Sequence, residues 1–362
     1  MSLWRWADWI DAVPPAARVT LGEGETPLVR SRRIGPEAGL KNLFFKLDMV
    51  TPSGSYKDRF AAVAVSHMVA AGKKRCVATS SGNTGAALAA YCAAAGIPCE
   101  IAIVETAPVE KLKQMLAYGA RLFRVRGFGL DPEATRRAFA CVQRRGSALG
   151  AAMQISAFRY CPAGMSGVQT VAYELAEQSP VPIDHVFCPA GGGGLALAAA
   201  RGFGQFVARG KLSKTPAVEV VQPEGNYIMA GPLRSGAAEA RPVQCTTKVS
   251  GLQVATVIDG NEVIPACRAT GGTGHVVTDE EVWAAQARLA RDEGIFSEPA
   301  GAAALAAALR ARADGYLKPN GMVVCLVTGS GFKDQPSIDR MLRDQSCPLM
   351  EVEEFERLSD VG

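Results

Sequence analysis

Residues 185–203 read HVFCPAGGGGLALAAARGF, an apolar run followed by four glycines and a segment rich in alanine and leucine. Valine and phenylalanine favour a β-strand in the first part, whereas alanine and leucine favour an α-helix in the last. Four consecutive glycines are costly in chain entropy, but they let a backbone lie close to a ligand. The segment therefore predicts a strand, a binding loop and a helix in succession, which is the repeating unit of an α/β fold.

The same alternation of strands and helices continues on both sides of this segment. Asp131 before Pro132 predicts one helix start, Thr278 with Glu281 predicts another, and Gly294 predicts a helix end. Such alternation is typical of an α/β fold with mostly parallel, twisted sheets flanked by helices, and 362 residues favour two lobes. The predicted strands are residues 43–48, 75–80, 99–104, 121–126, 185–190, 217–222 and 322–327.

Composition and charge exclude several classes of function. The formal net charge is +4 and spread along the chain, so nothing favours nucleic acid or an anionic membrane as a partner. No run reaches the roughly 18 apolar residues of a membrane span, and the N-terminus lacks a secretory pattern, so we expect a cytoplasmic protein. The ten cysteines form no C-x-x-C pair, which predicts buried, reduced thiols and no metal site.

Two more loops between strand and helix carry residues suited to a cofactor. In PSGSYKDRF (52–60), Lys57 stands just before a helical segment, and its amine is of the kind that forms a Schiff base with an aldehyde. In TSSGNTGAALAAY (79–91), small residues leave backbone N–H groups free for a carboxylate, and Asn83 can donate to a ring oxygen. An exposed loop lysine and a plain N-cap turn are the simpler alternatives.

The glycines at 191–194 complete this set of loops. Their N–H groups and the dipole of the following helix suit a phosphate, although a glycine run also permits tight helix–sheet packing. Each loop alone is ambiguous. Together they specify one ligand that has an aldehyde, a ring oxygen and a phosphate.

These motifs resemble those of the fold-type-II pyridoxal phosphate enzymes, the tryptophan synthase β-like superfamily, and within it those of the threonine synthases. The resemblance implies a two-lobed enzyme, with a discontinuous larger cofactor-binding domain at 1–42 and 155–362 and a smaller domain at 43–154. It also implies a homodimer. The similar stretches are LWRW (3–6), VTLGEGETPLVR (19–30), GSYKDR (54–59), AYGA (117–120), EGIFSEPAGAAALAA (293–307) and VTGSGFKD (327–334).

The resemblance also implies a role for each site residue. Lys57 would hold pyridoxal phosphate and shuttle protons, and Asn83 would bind the phenolic oxygen of the cofactor. Thr328 would face the pyridine nitrogen, where a hydroxyl gives a weaker electron sink than a carboxylate and so favours elimination over transamination. A cap on the following turn is the alternative for Thr328. The phosphate would be bound by Gly191, Gly192, Gly193, Gly194 and Leu195, and the substrate carboxylate by Ser80, Ser81, Asn83 and Thr84.

The predicted function is elimination or replacement on an amino acid by a threonine synthase-like lyase, which would convert phosphohomoserine to threonine. Gly164 stands where these enzymes carry an arginine for the substrate phosphate, so Arg159 is the candidate substitute. A β-replacement synthase of the cysteine or cysteate type, or a serine/threonine dehydratase, is the alternative. A further alternative is a protein that binds the cofactor without catalysing a reaction.

Several other residues are weaker candidates for the cofactor site. Glu298 precedes Pro299 and fits a helix start, so it is left out of the predicted site. In SGLQVATVIDG (250–260), Ser250 and Gln253 are candidate contacts over the cofactor. None of the three histidines lies in a catalytic pattern, so each is predicted to be structural; they are His67, His185 and His275.

Overall fold

The computed structural model describes residues 2–80, 82–105, 107, 109–254 and 256–358. The helices are α1 (Ile34–Glu37), α2 (Lys57–Ala70), α3 (Asn83–Ala94), α4 (Val109–Ala117), α5 (Pro132–Gly146), α6 (Pro162–Ser166), α7 (Thr170–Gln178), α8 (Gly194–Ala208), α9 (Ala230–Arg234), α10 (Gly260–Ala269), α11 (Asp279–Glu293), α12 (Pro299–Ala313), α13 (Gln335–Met341) and α14 (Val352–Glu356). The strands are β1 (Leu28–Arg30), β2 (Asn42–Leu47), β3 (Arg75–Thr79), β4 (Cys99–Ile103), β5 (Arg121–Arg124), β6 (Ala151–Met153), β7 (His185–Pro189), β8 (Ala217–Pro223), β9 (Gly274–Val277) and β10 (Met322–Val327).

Two sheets organise these strands. The larger has the order β1-β2-β10-β7-β8-β9, and only β1 runs antiparallel to its neighbour. The smaller has the order β5-β4-β3-β6 and is parallel throughout. The α/β fold with mostly parallel sheets is therefore confirmed. Among the described residues, no helix combines the length and the apolar character that crossing a membrane requires.

The seven predicted strands are present, and three short strands were not predicted. These are β1, β6 and β9, which have three, three and four residues. The strand β2 lies in the larger sheet, although most of it falls within the segment 43–154 predicted as the smaller domain. All four strands of the smaller sheet lie within that segment. The division into two domains stays a prediction.

The predicted helix ends follow from local hydrogen bonds. Asp131 accepts from the N–H of Ala134 at 2.6 Å, and Thr278 and Glu281 form the reciprocal capping box. Gly294 ends α11 with a φ of 70°, a conformation that glycine adopts without strain.

A network of buried charges joins α2 to β2 and α7. Arg59 is fully buried and donates to Asp48 at 2.9 and 3.0 Å and to Glu174 at 2.5 and 2.8 Å. Lys46 donates to the same Glu174 carboxylate at 2.6 Å. Burial raises the pKa of Glu174, but the charge of Arg59 and the hydrogen bonds outweigh it and lower that pKa to about 2. The two cations and two carboxylates balance one another, as buried charges must.

A second buried carboxylate explains two of the histidines. Glu219 lies within 2.8 Å of His185 and 3.0 Å of His275, and the hydroxyl of Tyr316 donates to it at 3.0 Å. This arrangement gives both histidines a partner in the core of the larger sheet, in keeping with a structural role.

We expect Glu174→Gln to lower the free energy of unfolding by about 3–5 kcal/mol at pH 7, because it leaves Arg59 and Lys46 short of one buried counter-charge. Since the pKa of folded Glu174 lies below its ordinary value of 4.5, its ionisation stabilises the fold above pH 4.5. That stabilisation is lost as the pH falls from 4.5 towards 2, so the variant should show a weaker loss of stability over this range. Urea unfolding at several pH values measures both effects.

The control is Glu177→Gln, which removes an exposed glutamate one turn further along α7 that pairs with Arg5. Surface pairs contribute about 0–1 kcal/mol, so this variant should unfold almost as the wild type does. Equal losses in the two variants would contradict the role assigned to the buried network.

Candidate active site

Lys57 is the first residue of α2 and is held by the turn before it. The N–H of Tyr56 donates to the carbonyl of Thr328 at 3.0 Å, and that of Ser53 donates to the Asp58 carboxylate at 2.7 Å. The Lys57 amine donates to the hydroxyl of Ser156 at 2.9 Å and is half-buried. The turn thus fixes the lysine backbone and leaves the amine at the edge of a polar cleft.

Thr328 follows the last residue of β10, at the carboxyl end of the strands where open α/β sheets bind ligands. Its side chain is buried, and its carbonyl accepts the Tyr56 bond described above. Ser55 and Gly329 pair as an isolated antiparallel bridge. The loop that carries Thr328 and the turn that carries Lys57 are therefore directly joined.

Asn83, the first residue of α3, donates through its side-chain amide to the Glu298 carboxyl at 2.6 Å. Glu298 is buried, and burial raises its pKa while the positive charges of Lys111 and Lys333 oppose that rise. A Cβ on Gly329 would lie 2.1 Å from this carboxyl, so glycine is required there. One N–H of the Asn83 amide binds Glu298, and the other remains for a ligand.

Glu298 was left out of the sequence prediction. Pro299 begins α12, and Glu298 does stand at the N-cap position, but its side chain makes no capping bond. Its carboxyl turns to Asn83 instead, 215 residues earlier in the chain. No local pattern around residue 298 could have indicated this contact.

The glycine loop joins β7 to α8. Gly193 has a φ of 95° and caps the helix in the left-handed conformation, and α8 begins at Gly194. The backbone N–H groups of residues 191–196 donate to no acceptor in the part of the chain that the structure describes. A helix of 15 residues thus presents a row of N–H groups and its positive end to one place.

Asp259 fixes the position of this loop against the segment after β6. Its carboxylate accepts from the N–H groups of Phe158 and Arg159 at 2.9 and 3.0 Å, and its own N–H donates to the Gly192 carbonyl at 3.3 Å. A Cβ on Gly194 would lie 3.7 Å from the carbonyl of Ser156. The amine of Lys57, bound to Ser156, and the glycine loop therefore face one cleft.

Sequence reasoning missed both Ser156 and Asp259. Ser156 follows β6, a strand too short to be predicted, and Asp259 stands at the end of a loop. Each acts through contacts about 100 residues away along the chain, with Lys57 and with Phe158 respectively. In the segment SGLQVATVIDG, which contains Asp259, the sequence indicated Ser250 and Gln253 instead.

The predicted substrate-binding residues differ in their surroundings. The Ser80 hydroxyl accepts from the N–H groups of Gly82 and Gly85 at 3.3 and 3.0 Å, and so holds the turn that leads into α3. Its O–H remains available to donate. Thr84 is half-buried in the first turn of α3, and Ser81 lies outside the described residues.

Arg159, the predicted substitute for the missing arginine, has an exposed side chain. Gly164 lies in α6, where a Cβ would come within 2.8 Å of Phe60 and 2.9 Å of Ala64. The position where the resemblance implies an arginine is thus closed to any side chain by its packing against α2.

Two lysines that the sequence did not predict lie near the Asn83–Glu298 pair. Lys111 of α4 donates to Asp334 at 2.9 Å and also to Ser250, whose hydroxyl donates to Asp334 at 2.6 Å. Lys333 donates to Gln114 at 2.8 Å, and burial lowers its pKa. Both amines lower the pKa of Glu298, so two lysines and the carboxyls of Glu298 and Asp334 lie together on this side of the cleft.

Of the two candidate contacts in the 250–260 segment, only Ser250 joins this cluster. Gln253 donates to the carbonyl of Thr247 at 2.8 Å and so stabilises its own loop.

The residues present fit pyridoxal phosphate. The N–H groups of 191–196 suit a phosphate, the half-buried amine of Lys57 suits an aldehyde, and the second N–H of Asn83 suits a ring oxygen. The buried Thr328 suits a ring nitrogen. These donors come from four separate loops and meet at one edge of the larger sheet and the adjoining end of the smaller one.

Comparisons with known proteins agree with this fit. Residues 19–329 match the protein family described as "Pyridoxal-phosphate dependent enzyme". Threonine synthase of Methanosarcina acetivorans is 32% identical over 342 residues, which cover 93% of this chain and 81% of that protein. Threonine synthase of Methanocaldococcus jannaschii is 31% identical over 353 residues, which cover 96% of this chain and 84% of that protein.

Solved structures of other enzymes share the fold. A threonine deaminase isoform from Solanum lycopersicum has a TM-score of 0.74 at 21% identity, and the match covers 95% of this chain and 94% of that one. Maize serine racemase has a TM-score of 0.72 at 25% identity, and the match covers 89% of this chain and 94% of that one.

We expect Gly193→Ala to weaken the binding of pyridoxal phosphate at least about tenfold. A side chain is strained at this φ by about 1–3 kcal/mol, and its Cβ would come within 2.6 Å of Val263. The control is Gly204→Ala in the same helix, where a Cβ meets nothing within 4 Å. Fluorescence titration with the cofactor measures the change, and circular dichroism checks the fold. Unchanged affinity in a folded Gly193→Ala protein would contradict the role of the loop.

Proposed function

The chain belongs to the family of pyridoxal-phosphate dependent enzymes, and we propose that it is a threonine synthase-like lyase that converts phosphohomoserine and water to threonine and phosphate. The observation that carries the proposal is the pair of amines on Lys111 and Lys333 beside the Asn83–Glu298 contact. Phosphohomoserine carries a dianionic group three bonds beyond its α-carbon. A cleft that binds it needs positive charge on the side away from the cofactor phosphate.

The proposed cofactor contacts follow the donors of the cleft. Lys57 holds pyridoxal phosphate covalently through its amine, and Asn83, kept in place by Glu298, donates to the phenolic oxygen. Thr328 faces the ring nitrogen. The N–H groups of Gly191, Gly192, Gly193, Gly194 and Leu195 bind the phosphate.

When bound, pyridoxal phosphate withdraws electrons from the bonds at the α-carbon of the amino acid. The chain's own residues then have to move protons and position groups. The amine of Lys57 takes the proton from the α-carbon and returns it later, and the Ser156 hydroxyl keeps this amine oriented. The start of α3, with Ser80, Ser81 and Thr84, holds the substrate carboxylate at a positive helix end.

Lys111 and Lys333 bind the phosphate of the substrate in this proposal. Lys111 is held by Asp334, the residue after Lys333, and Lys333 is held by Gln114, which lies in α4 with Lys111. The two amines therefore stand on segments that are bound to each other. The pKa of Asp334 is lowered because the charge of Lys111 and the hydrogen bonds outweigh the effect of burial. The Asp334 carboxylate therefore stays ionised and holds the Lys111 amine in place through their hydrogen bond.

One observation favours a second candidate, a β-replacement synthase. Gly164 is closed to any side chain, so an arginine contact to a γ-phosphate is not available from this position. A substrate with a shorter, less charged leaving group, such as an O-acylserine, does not need that contact. The homodimer and the cytoplasmic location stay predictions under both functions.

Borohydride treatment of the purified protein should attach the cofactor irreversibly to Lys57, and peptide mapping should find the label there alone. Lys57→Ala should take up no label, because the amine that reacts is gone. The control Lys74→Ala, at an exposed lysine after α2, should be labelled as the wild type is. A label on any other lysine would show that the site is assigned wrongly.

Replacing Lys111 by methionine tests the substrate. Loss of a charge-assisted contact to a buried anion costs about 2–5 kcal/mol, so kcat/KM for phosphohomoserine should fall by at least about 30-fold. Inorganic phosphate should inhibit the wild type but not the variant. Lys113→Met, at an exposed lysine on the same helix, should keep wild-type kinetics.

Three outcomes of this experiment distinguish the candidates. If Arg159→Ala abolishes threonine formation while Lys111→Met does not, the phosphate is bound at Arg159. If phosphohomoserine gives no product but serine or an O-acylserine changes the absorption of the bound cofactor, the β-replacement function is correct. Full activity in both variants would contradict both assignments of the phosphate site.

A further inference from the structure

Three buried cysteines meet beside the smaller sheet, at separations of 16 and 7 residues that match no C-x-x-C pattern. Cys76 lies in β3, Cys92 in α3 and Cys99 at the start of β4, and all three are buried. Their sulfur atoms all lie within 4.8 Å of one another. The three sulfur atoms thus form a small triangle. Packing of an apolar core does not by itself require three thiols to face one another.

The backbone holds this triangle rigidly. Cys76 and Cys99 are register partners in neighbouring parallel strands, and the N–H of Cys76 donates to the Pro98 carbonyl at 2.9 Å. The carbonyl of Cys92 accepts from the N–H of Ile97 at 2.9 Å in the turn that ends α3. The three sulfurs are thus presented by two strands and a helix rather than by loops, which is a good support for a binding site.

Distances suit a cation bound by three sulfurs. A point at the centre of an equilateral triangle with sides of 4.8 Å lies about 2.8 Å from each corner, and that is the upper limit here. Metal–thiolate bonds are about 2.3 Å long. Each sulfur would therefore move by at most about 0.5 Å, which a rotation about the Cα–Cβ bond can supply.

A cavity adjoins two of the three cysteines and offers a route for a cation. A pocket of about 220 Å³ adjoins Cys92 and Cys99, and its wall also includes Ala89, Ile97 and Ala120. Its rim includes Gly96 and Gly119, which are exposed.

We propose that Cys76, Cys92 and Cys99 form a binding site for one soft, thiophilic cation of the Cu⁺ type. Thiolates select soft metals, and the cluster contains three ligands, whereas structural Zn²⁺ sites have four. On binding, three sulfur–metal bonds form, the protons of the three thiols pass to solvent, and no electron is transferred. Since Cys92 lies nine residues after Asn83 in α3, the site stands about 13 Å from the cleft and is separate from it.

The test is anaerobic titration of the holoenzyme with Cu⁺ in competition with a coloured Cu⁺ chelator. The wild type should remove one equivalent from the chelator. Cys92→Ser and Cys99→Ser should bind it more weakly by over about 100-fold, because even residues behind the ligands change metal affinity 10–100-fold. The control Cys141→Ser, in α5, should bind as the wild type does.

X-ray absorption of the loaded wild type needs no variant and keeps the proposal testable if the variants fail to fold. It should give three sulfur neighbours at one short distance, and the bound cation should protect Cys92 and Cys99 from alkylation. Fewer than three sulfurs, undiminished affinity in Cys92→Ser, or loss of binding in Cys141→Ser would overturn the proposal.

Discussion

The burial of Arg59 is the constraint on which the candidate site depends. A guanidinium removed from water costs several kcal/mol unless it is paired, and here it pairs with the carboxylates of Asp48, just after β2, and Glu174 of α7. Arg59 stands two residues after Lys57 in the same helical turn. Lys57 therefore cannot shift unless a balanced set of buried charges shifts with it. The position of the candidate site is therefore stabilised by Arg59, Asp48 and Glu174, which are not among the residues expected to contact a ligand.

The loops that form the candidate site could be predicted because they lie between strands and helices. Lys57, Asn83, the glycine loop and Thr328 come from segments whose strand or helix patterns are strong, and the carboxyl ends of parallel strands meet. Residues that act across the fold could not be predicted in this way. Ser156, Asp259 and Glu298 take their roles from partners roughly 100 to 215 residues away, and no spacing in the sequence indicates those pairs. The missed strands are short edges, β6 being AAM, with little β-propensity of its own.

Charge in the cleft is arranged around one acid that burial tends to keep neutral. The raised pKa of Glu298 and the lowered pKa of Lys333 have the same cause, which is removal from water. Asp334 behaves in the opposite way, because its pairing with Lys111 outweighs the effect of burial and lowers its pKa. The cleft thus contains two carboxyl groups whose pKa values are shifted in opposite directions. Such differences in pKa within a few ångströms are characteristic of sites where protons are exchanged.

The strand order of the larger sheet determines when during synthesis the protein can fold. β10, the last strand to be synthesised, lies between β2 and β7. Residues 42–47 therefore cannot pair with it until residues 322–327 have been made. At about 5–20 residues per second, a ribosome takes roughly 15–55 s to cover that separation. The smaller sheet is continuous between residues 75 and 153 and can assemble meanwhile. The nascent chain therefore carries a completed four-stranded sheet and an unfinished one for most of its time on the ribosome, with the hydrophobic strand NLFFKL needing protection throughout.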